Sequence, residues 1–181
     1  MIARWFSRRE DPGLAAARDL YIAVVEQSRR EDFYRVCGVP DSVDGRFELI
    51  VLHVFLVLRR LKQAPERAGE LGQALFDVLF QDMDASLREM GVGDLSVGKK
   101  VKDMAEAFYG RVAAYEVALD AGDRTAVQRA LERNLLGTTE VSEAQLAGLA
   151  DYLTEAMGEL DALPIDEMLA GTVSFPDPPV D

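Results

Sequence analysis

An all-α fold is predicted for this 181-residue chain by three observations. Apolar residues recur at three- and four-residue steps, helix-opening and helix-ending residues punctuate those runs, and no alternating strand pattern of useful length appears. Apolar residues make up 49% of the chain, enough to bury a core without disulfides or metals. The expectation is a single-domain bundle of about seven helices around one buried central helix, with short connections.

The elements follow in order. Asp11-Pro12 opens the first helix, with Asp as cap and Pro at the first helical position, and Leu14 to about Arg30 runs on without a breaker. Residues 31–36 add one or two turns before Gly38 and Pro40, and Ser42-Val43-Asp44-Gly45 reads as a loop that resets direction. In Phe47–Leu61, FELIVLHVFLVLRRL, His53 is the only polar residue between Leu49 and Leu58. A short apolar run of this kind is a buried helix or a buried strand. Its length, Glu48 near its start and Arg59, Arg60 and Lys62 near its end favour the helix, because those charges complement the helix dipole.

Pro65 opens the next helix, whose apolar face is Leu71, Leu75, Val78, Leu79, Met83, Leu87 and Met90. After the turn Gly91-Val92-Gly93-Asp94 comes the cleanest stripe in the chain: Val97, Val101, Met104, Ala105, Phe108, Val112, Tyr115 and Leu119, with Asp94 or Ser96 as cap. Gly110 inside that helix costs about 1 kcal/mol against alanine, which points to close approach of a neighbouring backbone. Asp123 caps a helix to about Leu136, ended by Gly137. Ser142-Glu143-Ala144-Gln145 is a capping box that opens the last long helix, with Leu146, Leu149, Ala150, Leu153, Met157 and Leu160 as its stripe. A short turn follows Pro164, and the proline-broken tail is extended. The resulting division is a flexible basic N-terminus over 1–10, a helical domain over 11–170 and an extended acidic tail over 171–181.

The net charge of −12 is unevenly spread: residues 1–62 sum to +2, residues 63–122 to −5 and residues 123–181 to −9. So acidic a C-terminal third repels phosphates, so no nucleic-acid partner is expected. No apolar run is long enough to span a bilayer, which predicts a soluble protein. Arg4, Trp5, Phe6, Arg8 and Arg9 have the composition for peripheral contact with an anionic membrane surface, set against a frayed terminus. With Cys37 as the lone cysteine, no disulfide forms within a monomer, and a reducing compartment such as the cytoplasm is the simplest reading.

Catalytic signals are weak. Gly93-Asp94-Leu95-Ser96-Val97-Gly98-Lys99-Lys100 has phosphate-loop spacing but puts Lys100 where a magnesium-binding hydroxyl belongs, and it follows a helix rather than a strand. Asp77, Asp82 and Asp84 lack a nearby histidine to complete a mixed-ligand metal site. Lys99 with Asp103, and Lys102 with Glu106, are spaced for ordinary surface pairing. His53 reads as a buried neutral imidazole bonded to a neighbouring helix, with haem ligation or pH switching as the sharper alternative. Cys37 reads as a buried small hydrophobe. No cofactor, metal or catalytic residue is expected.

The stretch Leu75–Leu119 carries a resemblance. Asp82-Met83-Asp84, Leu87-Arg88-Glu89-Met90-Gly91-Val92-Gly93-Asp94, Val97, Lys99, Val101-Lys102, Met104 and Phe108-Tyr109-Gly110-Arg111, with Arg46-Phe47-Glu48 and Leu52-His53 upstream, resemble the ubiquinol-cytochrome c chaperone family over about residues 30–160. The resemblance implies a non-enzymatic chaperone that binds newly made cytochrome b, or its assembly intermediate, and promotes assembly of ubiquinol-cytochrome c reductase. It implies a cytoplasmic site of action, peripheral at the inner membrane. The partner-binding candidates are Asp82, Asp84, Arg88, Gly91, Gly93, Asp94, Lys99, Lys102, Phe108, Tyr109 and Arg111. The competing reading is a helical carrier of a small apolar ligand such as a lipid, quinone or haem, motivated by the apolar central helix and its one histidine.

Overall fold

The computed structural model describes residues 12–137 and 139–180. Among these there are eight α-helices and no strand: α1 (Pro12–Ser28), α2 (Glu31–Arg35), α3 (Val43–Lys62), α4 (Pro65–Glu89), α5 (Asp94–Asp120), α6 (Arg124–Leu131), α7 (Glu143–Ala162) and α8 (Ile165–Leu169). The count exceeds seven because the segment after Pro164 closes a helical turn of its own; α6 also runs into a π-helical turn, Glu132–Leu136, which is not among the eight. Asp11 and the basic N-terminus lie outside the described residues.

Helix α3 packs against α1, α4, α5, α7 and the π turn, and every residue from Val51 to Val57 is buried. Its two sides serve two apolar clusters. Leu49, Leu52, Phe55 and Leu56 join Phe33, Tyr115, Leu131, Leu149 and Leu153, whereas Val51, Val54, Val57 and Leu61 join Leu20, Val24, Leu75, Leu79 and Phe108. An all-round apolar helix is stable in water only with apolar neighbours on every side, and this arrangement supplies them.

Ser42 is a helix cap rather than part of a loop: its Oγ accepts from the Gly45 amide at 3.1 Å, so α3 starts at Val43, earlier than the apolar run alone marks. Gly45 is required there, because a Cβ would stand 2.0 Å from the Pro40 carbonyl oxygen. Asp123 caps α6 through the Thr125 amide, and the Ser142–Gln145 capping box opens α7. At α5 the expected side-chain cap is missing: Gly93 occupies the cap position and no side chain bonds the free amides. The close approach expected at Gly110 is also absent, since nothing lies within 4 Å of a Cβ built there.

His53 is fully buried and ties four segments together. Nδ1 lies 2.7 Å from the Leu49 carbonyl oxygen and 3.1 Å from Ser28 Oγ on α1, and Nε2 lies 2.7 Å from the Tyr152 hydroxyl on α7. Gln27 Nε2 donates to that hydroxyl and to the Pro176 carbonyl oxygen, while Phe175 packs edge-on against the imidazole at 5.1 Å. Burial pushes the imidazole down to about 4, so it stays neutral. The extended tail is thereby packed onto the bundle through Phe175, Pro176 and an Arg30–Asp177 ion pair of 2.8 Å.

Candidate functional site

Although α5 is 27 residues long, only Val97, Phe108, Tyr115 and Ala118 are fully buried on it. The rest of its stripe is incompletely covered, and a groove of about 790 Å³ opens between α5, the start of α3 and the end of α4. Its apolar wall is Val43, Phe47, Ile50, Met83, Leu87, Met90, Met104 and Ala107. Three of the chain's six methionines are here, and a flexible thioether refits to differently shaped partners. Val43 and Met90 are 65% and 55% exposed, which for large apolar side chains marks this as an uncovered surface.

Local structure places these groups. Met83, Leu87 and Met90 fall on one face of α4 because they are spaced by four, three and seven residues, about one and two turns. Gly91, at φ +84°, ends the helix in a conformation that L side chains avoid, and Val92 N–H bonds back to the Leu87 carbonyl oxygen at 3.0 Å. Arg88 forks between Asp84 on its own helix and Asp94 at the start of α5, fixing the turn. These carboxylates raise its pKa further, so it is a permanent cation.

At the floor, Arg111 Nε and Nη2 donate to the two carboxylate oxygens of Glu48. The pair is mostly buried, with side chains 23% and 11% exposed. Desolvation raises the Glu48 pKa and the Arg111 bonds oppose that shift, so the carboxylate depends on its partner to stay charged. On the rim, Arg46 pairs with Asp41 at 2.7 Å, whereas Asp44, Glu89 and Asp103 make no ion pair among the described residues.

The sequence-derived candidates divide by location. Arg111 lies in the groove, and Arg88, Asp84, Gly91, Gly93 and Asp94 build the turn beside it. Lys99 and Lys102 are exposed on the first turns of α5; Lys102 meets Glu106 at 3.6 Å, but the expected Lys99–Asp103 pair is not formed. Asp82 accepts from the Tyr21 hydroxyl at 2.8 Å and so joins α4 to α1. Phe108 is a correction: at 2% exposure it is core, where its ring meets Phe76 at 5.6 Å and Phe80 at 6.1 Å, and it presents nothing to a partner. Tyr115, two turns further along the same stripe, is 1% exposed and equally internal. Tyr109 is 60% exposed. It edges a smaller cavity of about 290 Å³ lined by Leu58, Gly69, Gly72, Phe76 and Val112.

Sequence reasoning missed Val43 and Met90 as exposed surface and Phe47, Ile50, Met83 and Met104 as lining of the groove. The signal available was the resemblance itself, since Arg46-Phe47-Glu48, Met83, Leu87, Glu89-Met90, Met104 and Arg111 converge on this groove from three separate helices. No helix among the described residues is long and apolar enough to cross a membrane.

Fold and groove together define an all-helical, single-domain protein with an open, methionine-lined apolar surface. The sequence profile described as Ubiquinol-cytochrome C chaperone matches residues 35–175, and the chain belongs to that family. Relatives include ubiquinol-cytochrome-c reductase complex assembly factor 1 of Xenopus laevis, 26% identical over 154 residues, 85% of this chain and 76% of the relative. The human protein of that name is 26% identical over 161 residues, 88% of this chain but 54% of the relative. Mitochondrial protein CBP3 of Saccharomyces cerevisiae is 26% identical over 152 residues, 82% of this chain and 45% of the relative. The chain thus spans about half the length of the human and yeast proteins. The crystal structure of the Cbp3 homolog from Brucella abortus superposes with a TM-score of 0.84 at 37% identity, covering 98% of this chain and 97% of that one.

Proposed function

We propose that this chain is a non-enzymatic chaperone that binds newly made cytochrome b, or an intermediate containing it, and promotes its assembly into ubiquinol-cytochrome c reductase. Family membership supplies the complex, and its animal relatives are named as assembly factors for it. The observation that carries the binding role is the methionine-lined groove, because a chaperone for a membrane subunit needs an apolar surface that adapts to its client. The work is done in the cytoplasm at the inner face of the membrane, where such a subunit is inserted. Deleting the gene lowers the amount of assembled cytochrome bc complex and leaves other respiratory complexes intact; unchanged levels sink the proposal.

A carrier of a small apolar ligand is the second reading, and the 290 Å³ cavity beside Tyr109 favours it. His53 does not, since both ring nitrogens are already within bonding distance of protein groups and the ring is fully buried. Native mass spectrometry of the purified protein separates the two: a stoichiometric small apolar ligand supports the carrier, and its absence with normal client capture supports the chaperone.

A further inference from the structure

We infer that the α3–α4–α5 groove receives an apolar helix of another protein that carries lysine or arginine beside its apolar stretch. The inference rests on the chaperone reading only for the circumstance in which such a helix is met; its chemistry is that of the groove. Three observations define the occupant.

The groove is walled by helices and offers no strand edge, so a segment entering it finds no row of backbone partners. Its own amides and carbonyls must already be bonded to each other, which a helix achieves and an extended peptide does not. The wall residues Met83, Leu87, Met90 and Met104 are unbranched at Cβ and flexible, suited to the side chains of an apolar helix face.

Charge decides the flank. Both cations at the groove are engaged, Arg46 by Asp41 and Arg111 by Glu48, while Asp44, Glu89 and Asp103 face its rim without a cation at ion-pair distance. They come from three different helices. Glu89 also stands in the last turn of α4, where the helix dipole disfavours an anion and favours a cation. An incoming lysine or arginine relieves that unfavourable placement as well as pairing. Nearby Arg88 is held between Asp84 and Asp94, and among the described residues neither Lys99 nor Lys100, on the exposed first turns of α5, forms an ion pair with Asp44, Glu89 or Asp103. An anionic ligand meets the opposite field. Basic residues next to an apolar stretch of helical length are the signature of the cytoplasmic end of a membrane-spanning helix.

Fluorescence anisotropy on the full chain tests this with labelled peptides sharing one apolar helical core of about 20 residues, flanked by Lys-Lys, Gln-Gln or Glu-Glu. At low salt the Lys-flanked peptide binds about 10-fold or more tightly than the Glu-flanked one, and the gap narrows as salt screens the rim. The Glu89→Lys, Asp103→Lys double variant reverses the order. It leaves the fold intact, because both positions are exposed and Glu89→Lys improves the match to the α4 dipole. Met90→Gln weakens every peptide. Equal binding by all three peptides, no binding by any, or an order unmoved by the double variant overturns the inference. Gene deletion that leaves the bc complex intact, with the peptide order as expected, removes the proposed function and keeps the groove assignment; the reverse pattern does the opposite.

Discussion

Replacing Arg111 with alanine strands the Glu48 carboxylate, of which only 11% of the side chain is exposed, without the two bonds that hold it charged. Removing one member of a buried ion pair costs about 3–5 kcal/mol, because the survivor's desolvation is no longer offset. Arg111 is 23% exposed and water reaches the vacated space from the groove, so the lower end, about 3 kcal/mol, applies. For a domain of this size that is a fall in Tm of roughly 6–12 °C. The loss depends on pH. Burial already raises the Glu48 pKa and Arg111 is the main opposing influence, so the variant's carboxyl protonates more readily in the folded state than in the unfolded chain. The penalty is therefore present in full above the raised folded pKa and shrinks as pH falls through the carboxylate range. Urea unfolding of Arg111→Ala at pH 7 and at mildly acidic pH, with Glu48→Gln as background, measures it; in that background the arginine substitution costs less than about 1 kcal/mol. A loss independent of pH, or equally large with Glu48→Gln, refutes the reasoning and returns Arg111 to a purely partner-facing role.

His53 gives a second pH effect. Its folded pKa of about 4 lies below the ordinary 6.5, so its neutral form contributes stability that is complete above pH 6.5 and lost as pH falls towards 4, on the order of 3 kcal/mol; unfolding curves of the wild type and His53→Gln across that window should converge at the acid end. Tyr152→Phe removes the hydroxyl that meets both His53 and Gln27, and should cost about 1–3 kcal/mol in urea melts. Two glycines make an opposed pair. Gly45→Ala drives a methyl into the Pro40 carbonyl and should destabilise by at least about 2 kcal/mol, whereas Gly110→Ala, in open space on a helix, should stabilise by about 1 kcal/mol; thermal denaturation reads both.

Local chemistry was legible wherever it was self-contained. The Asp123 cap, the Ser142–Gln145 capping box, Pro65 at the start of α4 and the glycine turn before α5 act within a few residues, and the sequence alone placed them. The apolar run around His53 likewise identified a buried helix, because a segment without a polar face has no stable exposed orientation. Ser42 shows the limit. Its cap depends on Gly45 lying against the Pro40 carbonyl, a fit that spacing does not encode.

The sequence by itself determined that this is an all-helical chain with stripes on α4 and α5, and its short motifs determined the family. Only tertiary structure decided how much of each stripe is covered. Periodicity marks a face, but which helix lies on that face, and how far along, is set by non-local packing among the other helices. Phe108 and Tyr115 therefore went into the core, while Met90, one step beyond the last covered turn of α4, stayed open on the groove. The same non-local fit set Glu48, which the sequence places only as a complement to the helix dipole, beneath Arg111, 63 residues away, and made the pair part of the groove floor.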